Sequence, residues 1–160
     1  MDTDEFRLMK EYAARDYLQH IRDLEKHTAA LRAHVDETRE LALSGGIDYG
    51  AMAASGGIVN KDGVPNAVIK LQEAVSEYCA ELAGYVDEMD EANRCLQRLE
   101  SPVQRDVLRL YYLAAAKSWE EVAQKLFYSK MQVLRIKSAA LVSLYDVMPL
   151  KWKIPVHRAV

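Results

Sequence analysis

The stretch VPNAVIKLQEAVSEYCAELAGYVDEMDEANRCLQRL, residues 64–99, decides the fold. Within it Val64, Val68, Leu71, Val75, Tyr78, Leu82, Tyr85, Met89, Ala92, Leu96 and Leu99 follow one another at alternating steps of four and three. Every one is apolar. On an α-helix such spacing makes a single narrow stripe, which has to be covered by a second helix. The spacing predicts one long helix over 65–99, with Pro65 in its first turn, where a missing N–H is not needed. Gly84 is the one weak helix position, at about 1 kcal/mol relative to alanine.

The covering stripe lies upstream. Tyr17, Ile21, Leu24, Thr28, Leu31, Val35, Thr38 and Ala42 repeat the spacing with a weaker apolar seam, and Leu8, Tyr12 and Ala14 extend the helical character toward the N-terminus. Between the two seams fall six of the seven glycines, Gly45, Gly46, Gly50, Gly56, Gly57 and Gly63. Residues 43–63 therefore read as a Gly-rich loop. A phosphate cradle would need Gly-Lys-Ser/Thr after a strand, and neither is present. Residues 1–100 are expected to form a long antiparallel, coiled-coil-like helical hairpin. Aligning the seams by their loop ends pairs Val35 with Leu71 and Leu31 with Val75, and sets His20 beside Glu88 and His27 beside Glu81. A homodimer through the same seams is the alternative to an intramolecular hairpin.

No β-alternation occurs anywhere, so the fold class is all-α. His20, His27 and His34 are two helical turns apart, whereas zinc ligands on one helix need a single turn. The run Asp87, Glu88, Asp90, Glu91 flanks the seam as a solvated face. Cys79 and Cys95 are about 24 Å apart along one helix at about 1.5 Å per residue, too far for an internal disulfide. These patterns point to no metal, no cofactor and no catalytic residues. The N-terminus is acidic, without an apolar signal region, and no apolar run reaches the length of a membrane span. A cytoplasmic protein that uses no membrane is expected.

The net charge of −3 conceals a division. Residues 1–100 carry 11 Lys/Arg against 20 Asp/Glu, whereas residues 101–160 carry 10 against 4. The basic part is where a polyanion such as double-stranded DNA would be attracted. It opens at Ser101-Pro102, an N-cap followed by a first helical residue. Val103, Val107, Leu108, Leu110 and Tyr111 give that helix an apolar face. Ser118-Trp119-Glu120-Glu121 is a capping box that starts a second helix. Ser129 caps a third, with Val133, Ile136, Ala140, Leu141 and Leu144 on one side. Helix, short capped helix, tight turn and capped helix is the arrangement in which the last helix enters the major groove. Residues 149–160 form a basic tail that either follows the phosphate backbone or docks on the core through Trp152 and Ile154. Trp119, at the start of the second helix, is expected in the core.

The run Ser118 to Leu126, followed by Tyr128-Ser129 and Ala140-Leu141, resembles the fourth-region helix-turn-helix of sigma-70-type factors. The whole order, over roughly residues 15–146, is similar to small phage-encoded transcription regulators carrying that module. The resemblance implies a DNA-binding regulator in a bacterial host cell, acting at promoters with RNA polymerase nearby, without catalysis. Residues 101–148 would be the DNA-binding module, and Ser129, Lys130, Met131, Gln132, Leu134, Arg135 and Ser138 the DNA-facing residues. Two departures stand out. Phe127 occupies the turn position where members have glycine, so a left-handed backbone there would be strained. Met131 and Leu134 stand where sigma factors carry charged base-reading residues, so apolar contact with thymine methyls is all they offer. Two other functions fit the pattern: a small terminase-like packaging protein, which usually places its DNA-binding module first, and a protein-interaction module with a degenerate helix-turn-helix.

Overall fold

The computed structural model describes residues 2–44 and 66–153. The loop expected over 43–63 falls almost wholly outside the described residues, as do Val64, Pro65 and Ile154. Among the described residues every regular element is helical: α1 (Thr3–Ser44), α2 (Asn66–Gln97), α3 (Pro102–Leu108), a π-helical continuation Arg109–Leu113, α4 (Trp119–Leu126), α5 (Lys130–Val147) and a 3-10 turn Leu150–Trp152. The protein is all-α. No described helix is long and apolar enough to cross a membrane. The chain divides into two compact units, Lys26–Tyr85 and a second made of Met1–Glu25 with Val86–Val160.

In the unit Lys26–Tyr85 the facing parts of α1 and α2 pair antiparallel in the expected register, with His27 Nε2 3.9 Å from Glu81 Oε2. Two helices alone cover each other incompletely, so Leu31, Val35, Leu71, Tyr78, Leu82 and Tyr85 are only half-buried. Thr28 and Ala74 are buried, while Val75 is 39% exposed. The seam thus departs from strict heptad spacing at this turn: Ala74 takes the inner position expected for Val75.

The other unit is packed more densely. Its own helix pair shows the same register, with His20 Nε2 2.7 Å from Glu88 Oε2. Tyr17, Leu18 and Ile21 of α1, Ala92 and Leu96 of α2, and Leu99 just beyond its end are buried. Fully burying a leucine or isoleucine contributes about 1.5–3 kcal/mol, so these residues anchor the unit. The difference arises because the C-terminal helices also pack here. Lys10 pairs with Asp146 at 2.9 Å, and the Trp152 ring lies 5.7 Å from Tyr17 and 5.0 Å from His20. Trp152 therefore docks on α1.

Candidate nucleic-acid interface

Residues 101–147 build a small core from Val107, Ala116, Val122, Ala123 and Val133, with Val103, Leu110, Tyr111, Trp119, Leu126 and Ile136 packed around it. Each helix start is capped as its sequence dictates. Ser101 Oγ accepts from Gln104 N at 3.4 Å, with Pro102 in the first turn. Ser118 Oγ accepts from Glu121 N at 3.2 Å. The capping box expected there is only half closed, because the Glu121 carboxylate accepts from the backbone N–H of Lys117, at 2.6 Å, instead of that of Ser118. That bond holds the Glu121 carboxyl below the usual range. The complete capping box is at α5: Ser129 Oγ accepts from Gln132 N at 3.2 Å, and Ser129 N donates to Gln132 Oε1 at 2.9 Å.

The α4–α5 turn takes the form anticipated from the sequence. Phe127 has φ 59 and ψ 36, a left-handed conformation, and its backbone N–H closes onto Ala123 and Gln124 carbonyls. Its ring is 95% exposed. A residue other than glycine pays about 1–2 kcal/mol for this backbone, and here no burial of the side chain offsets it. A second left-handed residue, Ala115 with φ 53, lies between the π-helical segment and α4.

The seven DNA-facing candidates fare differently. The Ser129 hydroxyl and the Gln132 carbonyl oxygen are engaged in the capping box. With Oε1 committed, Gln132 cannot form the bidentate pair that reads adenine. Lys130, although exposed, is paired with Glu120, whose carboxyl it holds below the usual range. Leu134 is half-buried. Ser138 is also half-buried, and its hydroxyl donates to Glu11 Oε1 of α1 at 2.9 Å, so that side of α5 is turned toward α1. Met131 is 65% exposed, and Arg135 is exposed with no ion pair among the described residues. Over the α4–α5 turn and the head of α5 the exposed surface therefore mixes Ser129, Lys130 and Gln132 with the apolar Phe127 and Met131, the ring of Tyr128 and the cation of Arg135.

The N-terminal end of α4 joins a stack of rings. Trp119 packs on Tyr111 with centroids 3.9 Å apart and planes 14° apart, and meets Tyr112 edge-on at 5.9 Å. The tryptophan sits on the core side, as expected. Lys137 Nζ is 4.9 Å from its ring. Arg22 was not recognisable as part of this assembly. It is 7% exposed, stands 4.1 Å over the Tyr111 ring and donates to the Tyr111 carbonyl within the π-helical segment. An arginine amid outward-facing charges of α1 reads as solvated, and only its distance from the apolar seam could have hinted otherwise. Lys125 pairs with Glu121 at 3.4 Å. Among the described residues no group of three or more His, Cys, Asp or Glu could hold a metal ion. In comparisons with known proteins, the chain matches no family model, no curated protein and no solved structure.

Proposed function

We propose that this chain is a DNA-binding transcriptional regulator of the phage-encoded, sigma-like kind, acting through residues 101–148 at promoter DNA and by binding alone. The observation that carries the reading is the head of α5. It is fixed by a complete capping box, set on a small core, and left uncovered over Met131 and Arg135. A rigid helix start presented in this way suits the major groove. The excess of Lys/Arg over Asp/Glu in residues 101–160 supplies the long-range attraction. RNA polymerase is the second partner that the resemblance suggests, and the cytoplasm of a bacterial host the compartment.

The test is to recover and sequence genomic fragments retained by the purified protein. The expected result is a few discrete loci beside promoters. Arg135→Ala should weaken that binding without loss of helix, and reduce the salt slope by about one if Arg135 contacts a phosphate. Retention of no fragment above background would end the reading, and recovery of a single packaging locus would favour the terminase-like alternative. A protein-interaction module is the second reading, favoured by the exposed Phe127 ring and by the Glu120 carboxylate that engages Lys130.

A further inference from the structure

We infer that the head of α5 reads thymine, with Phe127 and Met131 meeting C5-methyl groups of A·T pairs in the major groove. The inference rests on the proposed DNA-binding reading and extends it to the chemistry of the site. The hydrogen-bonding side chains at the head of the helix are each partly engaged: Gln132 Oε1 and Ser129 Oγ accept from each other's backbone N–H, Lys130 pairs with Glu120 at the surface, and Ser138 donates to Glu11. Beside these exposed polar residues the surface carries uncovered apolar side chains, with Phe127 95%, Met131 65% and Tyr128 38% exposed. In the major groove the one apolar feature of a base edge is the thymine methyl group.

Phe127 strengthens the argument. Its backbone is left-handed, where glycine would be free of strain, and its ring is almost wholly exposed. Neither property helps the chain to fold, and the ring is left available to a partner. Duplex DNA suits the cluster better than a protein does. Met131 and Arg135 stand one turn apart, and the cluster is narrow, bordered by the polar Ser129, Lys130 and Gln132. A protein partner needs roughly 800 Å² on each side, whereas a groove about 12 Å wide admits one helix and the row of side chains it points inward. Arg135, exposed and without an ion pair among the described residues, supplies the adjoining charge for a phosphate or a guanine.

The experiment selects binders from 40-bp duplexes with a random centre, using the full chain. Each thymine of the winning sequence is then replaced in turn by uracil, which removes only the methyl group. Loss of a buried methyl should weaken binding about fourfold. We expect one to three positions to show this loss with the wild type. Phe127→Gly should become indifferent to uracil at one of them, and Met131→Ala at another. Both sites are exposed, and circular dichroism will show that the variants keep their helix content. If uracil changes affinity nowhere while Arg135→Ala still weakens binding, the thymine inference falls and the DNA-binding reading stands. If both variants keep the full uracil sensitivity of the wild type, the methyl contacts belong to other residues and the inference falls equally. Absence of enrichment, with no affinity for any duplex, overturns the DNA-binding reading itself and leaves the apolar cluster to a protein partner.

Discussion

Replacing Phe127 with glycine should make the protein more stable, although it deletes an aromatic side chain. The ring is 95% exposed, so its removal forfeits almost no burial. The backbone at φ 59 costs a non-glycine residue about 1–2 kcal/mol, and glycine adopts it freely. Glycine's larger freedom in the unfolded chain takes back about 0.5–1 kcal/mol, which leaves a net gain of about 0.5–1 kcal/mol. Phe127→Ala is the control, because it deletes the ring but keeps the strain, and it should be neutral. Urea unfolding followed by circular dichroism reads the difference. With a slope of about 2 kcal/mol per molar urea, the glycine variant's midpoint should rise by about 0.25–0.5 M and the alanine variant's should stay in place. A fall of more than about 1 kcal/mol in both variants would mean instead that the ring packs within the fold.

Arg22→Met should destabilise by about 3 kcal/mol, because it leaves the Tyr111 carbonyl without its buried donor and removes a desolvated cation from the Tyr111 ring. Arg22→Lys should recover only part of this, as an ammonium cannot reproduce the planar stack, and a loss under 1 kcal/mol by urea titration would show the guanidinium to be solvated. The Tyr17 hydroxyl is buried, makes no hydrogen bond of ordinary geometry and lies beside the Cys95 thiol, and burial pushes its phenol well above the usual value. Tyr112 is shifted in the same direction by burial. A raised folded value means that this contribution is fully present below about pH 10, the unfolded value, and fades as pH rises above it. Tyr17→Phe should therefore gain about 1 kcal/mol at neutral pH and soften the alkaline loss of stability, and an unchanged profile would show that the hydroxyl reaches water. Finally, Val35→Cys with Leu71→Cys, in a Cys79→Ser background, should oxidise to a crosslink within one chain. Crosslinks formed only between chains would assign the paired helices to a dimer.

The long helices, their antiparallel register and the helix caps could be read from the residues alone, because each depends on a short-range rule. A stripe at steps of four and three specifies a helix and the face it buries, and two such stripes admit few alignments. His20 with Glu88 and His27 with Glu81 are where that alignment sets them. Ser101, Ser118 and Ser129 cap because a hydroxyl reaches an N–H three residues on, and the turn at Phe127 is left-handed because helix exit demands it. Tertiary structure alone decided the rest. Arg22 finds the Tyr111 carbonyl 89 residues away, and Ser138 finds Glu11 at a separation of 127. Neither helix pattern contains the other's partner. The π-helical segment at Arg109–Leu113 and the exchange of Val75 for Ala74 in the seam are adjustments to neighbours of the same kind. The candidate site shows the division most clearly. The sequence places Lys130 to Ser138 on one helix, but the engagement of Lys130 and Ser138 is decided by Glu120 and Glu11, residues of other helices, because a polar group is available to a ligand only after the fold's own partners have been satisfied.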